Sequence, residues 1–318
     1  MTNRSLVILS GEGTTLPRAE AKSLFLTYDP DSRFESPSPQ VLIADSDSDP
    51  FLIGSRIAFA RRVGVLVDDL AAARRFLKGR RFRFRSFALG SRRPSPEPGE
   101  YLSGVEGTVD LRSPEYELTL VRADQDYLAI TSPGSMVQGW SRRRPRSRPF
   151  FHPSVIFPKL SRALVNLSRC MAGDVFLDPF AGTGSLPIEA SLVGARVVAV
   201  DQMEKMARGA LANMKHLHQE WLGSVRADST KLPLVKVDSI ATDVPYGRLS
   251  STRGRISGEI VNLTLPVLSD AMKQGSTLVL MHQKEVRVDG EPRFLLAEEH
   301  DLYVHKLMTR TISILRRR

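Results

Sequence analysis

The sequence predicts an α/β protein. Its larger, C-terminal part reads as a doubly wound parallel sheet with an antiparallel edge, and a smaller α+β region precedes it. Three observations carry this. From residue 154 onward, short apolar runs alternate with amphipathic helical stretches, as in a parallel sheet covered by helices on both faces. A glycine-bearing turn, "DPFAGTGS", joins the first of those runs to the helix after it, where such folds place a ligand. The last stretch, "DLYVHKLMTRTISILRRR", holds two strand-like segments around a tight turn, the expected antiparallel pair.

Taken in order, "SLVILS" is a strand and "LPRAEAKSLFL" has a helical period through Leu16, Glu20, Leu24 and Phe25. Two Pro/Ser/Asp-rich stretches, "DPDSRFESPSP" and "DSDSDP", read as loops around a short strand, "QVLIA". "RIAFARRVGVL" and "DDLAAARRFLKG" form a further pair of elements. "RRFRFRSFAL" alternates arginine with phenylalanine like a half-buried strand. "SRRPSPEPGE" is a loop, and strands follow in "EGTVDLRSPEYELTLVRADQDYLAIT". The expected divisions are an α+β subdomain over 1–49, a second unit over 50–139, a basic linker over 140–153 and the doubly wound domain over 154–318. In that domain "FPKLSRALVNLSRCMAG" is an amphipathic helix with Pro158 in its first turn and Gly173 at its end. Then come strand "DVFLD", helix "SLPIEASLVG", strand "ARVVAVD", helix "MEKMARGALANMKHL", strand "DSIATD", helix "GEIVNLTLPVLSDAMKQG" and strand "STLVLMHQ".

The 318 residues suit about two domains. At 42% hydrophobic and 25% charged the composition is that of a soluble globular chain. No run approaches the roughly 18 apolar residues of a membrane span, and the apolar start is too short for a signal peptide. Cytoplasmic location is the expectation. The single cysteine, Cys170, excludes an internal disulfide and reads as a packed thiol within a helix. The net charge of +10 and pI of about 10.0 favour an anionic partner. Arginine exceeds lysine, and its planar fork suits phosphate. The six histidines show no ligand spacing, so no metal is expected.

Three motifs carry chemistry. In "FLDPFAGTGSLPIEA" a strand ends at Asp178, and Gly182 and Gly184 lie in the turn. Position 187 is proline where a dinucleotide fingerprint has its third glycine, and no G-K-[ST] follows. Both pyrophosphate cradles are therefore disfavoured. Asp201 ends the next strand, 23 residues on, where an acid accepts hydrogen bonds from ribose hydroxyls; a solvated acid before a helix is the plainer reading. Asp228, after the third strand, offers an acceptor for an adenine amine or is a loop acid. "TDVPYG" ends the fourth strand. Asp243 is an acceptor there, Val244 is pushed to extended geometry by the following proline, and Pro245 fixes φ. Tyr246 offers a ring for stacking. A flat heterocycle bearing an exocyclic amine satisfies all of these groups together, and enzymes acting on a base swing it out of its stack.

At these residues the sequence resembles the class I, Rossmann-like S-adenosylmethionine-dependent methyltransferases that modify exocyclic amines. "DPFAGTGSLPIEA" is similar to their cofactor loop and "TDVPYG" to their [DNS]-P-P-[YF] catalytic motif. "RPFFHPSVIFPKLSRALVNL" resembles the segment before the core in a narrower group, the archaeal and eukaryotic tRNA guanine-N2 methyltransferases acting on the guanosine at tRNA position ten. "VEGTVDLRSPEYELTLVRADQDYLAI" resembles the last part of their N-terminal THUMP RNA-binding domain, which would place THUMP over 50–139. The resemblance implies S-adenosyl-L-methionine as cofactor. It would be bound by His152, Pro153, Ser154, Asp178, Pro179, Gly182, Thr183, Gly184, Asp201, Gln202, Asp228, Ser229 and Asp243. Asp243, the Val244 carbonyl, Pro245 and Tyr246 would hold the guanine. The arginines at Arg80, Arg81, Arg83 and Arg85, and at Arg142, Arg143, Arg144, Arg146 and Arg148, would grip tRNA phosphates; a solvated basic face is the alternative. Some family members work with a small zinc-binding activator subunit, which is the second expected partner. The sequence departs from the family at Val244, where proline is usual.

Other readings stay open at this stage: an rRNA guanine-N2 or adenine-N6 methyltransferase, and a non-catalytic RNA-binding protein with a degenerate methyltransferase fold, for which Val244 speaks. A dinucleotide-dependent dehydrogenase is disfavoured by the loop.

Overall fold

A computed structural model describes residues 3–13, 15–90, 96–133, 139–232, 236–245, 257–305 and 308–318. The chain divides into two compact units, Met1–Gln138 and Gly139–Arg318.

The first unit runs β1 (Asn3–Leu9), α1 (Leu16–Tyr28), β2 (Arg33–Ser38), β3 (Val41–Ser46), α2 (Pro50–Arg56), β4 (Ala60–Val67), α3 (Leu70–Leu77), β5 (Arg81–Ala88), α4 (Pro98–Leu102), β6 (Thr108–Val109), β7 (Tyr116–Arg122) and β8 (Asp126–Thr131). All eight strands join one sheet in the order β2-β3-β1-β4-β8-β7-β5-β6. Strand β1 is apolar throughout because both of its faces are covered. Val7 and Leu9 pack with Leu24, Phe25 and Ile53, while Leu6 and Ile8 pack with Val121 and Tyr127.

Two expectations change here. The boundary expected at 49/50 runs through this sheet, since β1 pairs with β3 on one side and β4 on the other. The stretch expected as loop, "DPDSRFESPSP", contains β2, which pairs antiparallel with β3. Helix α2 was hidden in the same Pro/Asp-rich region. Asp49 accepts from the Phe51 N–H at 2.9 Å and Pro50 occupies the first turn, so the punctuation is a helix start.

The second unit runs α5 (Pro158–Leu167), β9 (Val175–Asp178), α6 (Ser185–Ser191), β10 (Arg196–Asp201), α7 (Glu204–His216), β11 (Gly223–Arg226), β12 (Ser239–Asp243), α8 (Ser257–Ala271), β13 (Thr277–Gln283), β14 (Phe294–His305) and β15 (Met308–Arg317). Its sheet has the order β11-β10-β9-β12-β13-β15-β14. The first five of these pair in parallel, and β15 is antiparallel to both β13 and β14. The chain moves outward one way through β10 and β11 and the other way through β12 and β13. A crevice therefore opens at the C-terminal ends of β9 and β12, the switch point of the sheet.

Helix α5 is shorter than its periodicity predicts. It stops at Leu167, and Arg169 takes a positive φ of 59°, so Cys170 lies beyond the helix, although still buried. The arginine-rich run expected as a linker packs onto this unit. Arg143 Nε donates to Glu189 Oε1 at 2.7 Å. The Phe150 N–H donates to Asn213 Oδ1 at 2.9 Å, and Asn213 Nδ2 donates back to the Phe150 carbonyl at 2.9 Å. Among the described residues no helix is long and apolar enough to cross a membrane.

Candidate active site

The crevice holds a cavity of about 440 Å³, within the range of small-molecule and cofactor sites. Its walls come from the strand ends that the sequence singled out, plus the segment ahead of α5. His152, Pro153, Ser154, Asp178, Gly182, Thr183, Asp201, Gln202, Asp228, Ser229, Asp243, Val244 and Pro245 all line it. Pro179 and Gly184, expected beside them, do not. The Pro179 carbonyl accepts from Ser229 Oγ at 2.5 Å, tying the first strand end to the third. Gly184 has a positive φ of 81°, and a Cβ there would meet the Ala210 Cβ at 3.2 Å. Its role is close packing of the turn on α7. Tyr246 lies outside the described residues.

Each acid is held by the backbone around it. Asp178 is fully buried; Thr242 Oγ1 donates to its Oδ1 at 2.6 Å and the Phe180 N–H to the same oxygen at 3.1 Å. Burial pushes its carboxyl up to about 7, against those two hydrogen bonds. Asp201 receives the Gly182 N–H at 3.0 Å on one oxygen and the Met203 N–H at 2.8 Å on the other. Burial again raises its pKa. The positive φ of Gly182, 53°, lets the glycine turn present its N–H to that carboxylate. Asp228 accepts from the Thr230 N–H at 3.0 Å and from Thr230 Oγ1 at 2.8 Å. Asp178 and Asp201 each keep acceptor capacity on the carboxylate beyond these bonds.

The motif at the end of β12 contains two features that sequence reasoning did not anticipate. The Val244 N–H donates to the Met281 carbonyl at 2.9 Å, and the Val244 side chain is buried in an apolar core cluster of the unit. The departure from proline adds one ladder hydrogen bond, which proline could not make. The second is Arg310 on β15, which makes a two-pronged ion pair with Asp243: Nη1 donates to Oδ2 at 2.9 Å and Nη2 contacts Oδ1. No local signal joins them, because they stand 67 residues apart and only the antiparallel edge brings them together. Asn213 was also missed. Its Nδ2 donates to the Thr183 carbonyl at 2.9 Å as well as to Phe150, so one amide ties the glycine turn to the segment that carries His152.

The cavity's charge decides what chemistry fits. Four carboxylates line it, Asp178, Asp201, Asp228 and Asp243, and among the described lining residues there is no lysine or arginine. A pyrophosphate would meet repulsion there, whereas a cationic ligand would be attracted. Met203, Met206, Leu186, Phe180 and Ile260 supply apolar wall. Carboxylates at the strand ends, an apolar wall and a surplus of negative charge fit S-adenosylmethionine, a nucleoside carrying a sulfonium and an ammonium.

The arginines fall into two groups. Arg142, Arg144 and Arg146 are exposed. Arg143 and Arg148 point inward, contrary to expectation: Arg143 pairs with buried Glu189, and Arg148 donates to Ser185 Oγ and to the Arg143 carbonyl, each at 2.9 Å. In the first unit Arg80 lies over Phe76 and Tyr116, and Arg81 pairs with Glu115 and Asp110. Arg83 and Arg85 converge with Arg62 on the buried carboxylate of Glu117, three cations on one anion.

Comparison with known proteins agrees with this picture. Residues 145–290 match the family described as UPF0020: RMKL-like, methyltransferase domain. A tRNA (guanine(10)-N2)-dimethyltransferase of Methanothermobacter thermautotrophicus is 31% identical over 335 aligned residues, covering 98% of this chain and 99% of that protein. Its counterpart in Methanocaldococcus jannaschii is 36% identical over 184 residues, 55% of this chain and half of that one. The crystal structure of TrmN from Thermus thermophilus superposes with a TM-score of 0.53 at 20% identity, over 99% of this chain and all of that one. That likeness concerns the fold, which is the class I methyltransferase fold in the second unit. With a relative of this identity matched along nearly its whole length, the chain belongs to the family of tRNA guanine-N2 methyltransferases.

Proposed function

We propose that this protein transfers a methyl group from S-adenosyl-L-methionine to the exocyclic N2 amine of a guanosine in tRNA, at position ten, once or twice. The observation that carries the reading is the placement of Asp243 and Val244 on the wall of the same cavity as Asp178, Asp201 and Asp228, across the sheet's switch point. Family membership supplies the substrate class.

When bound, the cofactor supplies an electrophilic methyl on a sulfonium. Asp201 accepts from its ribose hydroxyls and Asp228 from its adenine amine. Asp178, with the Gly182–Thr183 turn and the His152–Ser154 segment, encloses its amino-acid end. The guanine N2 lone pair is delocalised into the ring, so the amine is a weak nucleophile and positioning must supply much of the acceleration. Asp243 accepts one amine N–H and the Val244 carbonyl the other, which orients the lone pair. Tyr246 stacks on the base. The proton that the amine loses leaves along its hydrogen bond to Asp243.

The rest of the reading concerns the tRNA. Exposed Arg142, Arg144 and Arg146, together with a THUMP-like first unit containing Arg80 and Arg81, grip its phosphates. The setting is cytoplasmic, and a small zinc-binding activator is a second partner.

The test combines purified protein, labelled cofactor and unmodified tRNA, followed by digestion of the RNA to nucleosides, with Asp243→Ala in parallel. N2-methylguanosine or N2,N2-dimethylguanosine made by the wild type and lost in the variant is the expected result. Methylation of another nucleoside would refute the substrate. Bound cofactor without any transfer, in the presence of an activator subunit, would favour a non-catalytic RNA binder.

A further inference from the structure

Taking Asp243 as the acceptor of the substrate amine, as proposed above, we infer that Arg310 is its positioning residue, fixing both the charge of the carboxylate and the direction of its free lone pairs. The two side chains meet fork to fork, at 7% and 13% exposure. A carboxylate offers about four lone-pair sites. The guanidinium occupies two of them and leaves the others for a ligand.

The pair lies where stability alone gives little reason for one. Buried ion pairs are commonly matched or exceeded in stability by apolar residues of the same volume, and the residues that share the pair's face of the sheet beside it, Met281 and Ile312, are apolar and buried. Its position is specific. Arg310 stands opposite Gln283 in the β13–β15 ladder, and Asp243 stands opposite Met281 in the β12–β13 ladder. The arginine therefore reaches across β13, at the sheet end where the cavity opens.

The charge environment explains what the arginine is needed for. Among the described residues, the other titratable groups on the cavity wall are Asp178, Asp201, Asp228 and His152. Without a cation of its own, Asp243 would be one more carboxylate in a negative, low-dielectric crevice, where like charges and burial drive proton uptake. A protonated Asp243 donates a hydrogen bond and no longer serves as an anionic acceptor for the amine. Arg310 keeps it an anion and stops it rotating.

The test compares wild type, Arg310→Met and Arg310→Lys. Single-turnover methyl transfer is measured across pH, and the Asp243 carboxyl is titrated by carbon-13 NMR with aspartate-labelled protein, its signal assigned from Asp243→Asn. Arg310→Met is expected to slow transfer about 100-fold, as removal of one aligned electrostatic group does. The acid limb of the rate profile should move up by about one pH unit, the cofactor affinity should stay within about twofold, and the carboxyl should titrate at higher pH. Arg310→Lys should recover part of the rate and return the limb toward wild type, since a lysine restores the charge without the fork. An unchanged pH profile and an unchanged Asp243 titration in Arg310→Met would reduce the bridge to a structural contact and overturn the inference. Should that variant not fold, a wild-type rate and profile in Arg310→Lys would overturn it equally. Failure of the functional reading is distinguishable: the wild type would methylate no guanosine, while the carboxyl titration would still report whether Arg310 sets the charge of Asp243.

Discussion

At the scale of single residues, Asp178 carries the clearest pH dependence. It is protonated through much of the acidic range in the folded protein, because burial raises it to about 7, while an unfolded chain ionises it near about 4. Between those values the folded state holds a proton that the unfolded state has lost. Its contribution to stability therefore falls as pH rises from about 4 to about 7 and is level above. A cationic ligand reverses the preference, since it favours the ionised carboxylate. Affinity for S-adenosylmethionine is expected to rise with pH over the same window, by roughly tenfold per unit below pH 7 if binding requires the anion. Asp178→Asn should remove both slopes. Thermal melts of the ligand-free protein and calorimetric titrations with cofactor between pH 5 and 8 measure them, and an unchanged slope of affinity in the variant would assign the effect to Asp201 instead. Asp178, Asp201 and Asp243 were legible in the sequence because each ends an apolar run, where a parallel strand delivers its last side chain into the crevice, and Asp228 because it follows the third strand. Arg310 was not, since it reads as an ordinary member of an alternating edge strand and meets Asp243 only through the pairing of β15 with β13. Val244 was legible as a departure but not in its consequence, because a hydrogen bond to Met281 depends on which strand lies alongside.

At the scale of elements, the segment before α5 is held by helix α7. A Cβ at Gly209 would come within 2.0 Å of the Phe150 ring, so glycine there makes room for the aromatic. Asn213, one turn further along α7, bonds both backbone groups of Phe150 and the Thr183 carbonyl. Gly209→Ala sets two effects against each other. Alanine favours a helix interior by roughly 1 kcal/mol over glycine, and overpacking costs about 1–3 kcal/mol. Phe150 is half-buried and can swing outward, so the net loss of stability should stay at about 2 kcal/mol or less. The larger effect should fall on the site, because His152 and Ser154 lie on the same short segment just after Phe150. Cofactor affinity is expected to weaken about tenfold, the equivalent of some 1.4 kcal/mol, with a melting temperature lowered by only a few degrees; calorimetry and a melt decide it. An affinity equal to wild type would show that the clasp does not position the cavity wall. Most strands and helices of the second unit were readable from period and punctuation, although β14 begins at Phe294, ahead of the stretch read as the final pair. The clasp was not: a run of arginines and prolines reads as a solvated linker unless one knows that Glu189, itself buried, waits for Arg143 and that Asn213 waits for Phe150.

At the scale of the whole molecule, the net charge of +10 is a poor guide to which cations face a partner, and the arginine run shows why. Sequence reasoning treated all five arginines between 142 and 148 alike. The structure separates them by direction, with Arg142, Arg144 and Arg146 outward and Arg143 and Arg148 buried. The same limit affected the first unit, where β1 pairs with β4 across an expected boundary, because sheet pairing between distant segments leaves no local trace. The two classes of arginine predict different experiments. Each phosphate contact on single-stranded or duplex nucleic acid contributes about 0.7–0.9 to the slope of log affinity against log salt. Replacing Arg142, Arg144 and Arg146 together by alanine should weaken tRNA binding and reduce that slope by about 2–3, with the fold and cofactor affinity intact. Arg143→Ala should leave the slope unchanged and instead lower the melting temperature, since it removes one of the two guanidinium partners of a carboxylate with no exposure to solvent; Arg162 remains, so the loss should be below the roughly 3–5 kcal/mol of a buried pair broken outright. Filter-binding titrations from low to moderate salt, run beside thermal melts, measure both. An unchanged slope in the triple variant would move the phosphate contacts away from this run, to cations of the first unit such as Arg80 and Arg81. A reduced slope in Arg143→Ala with an unchanged melt would mean that the inward pair with Glu189 opens when RNA arrives.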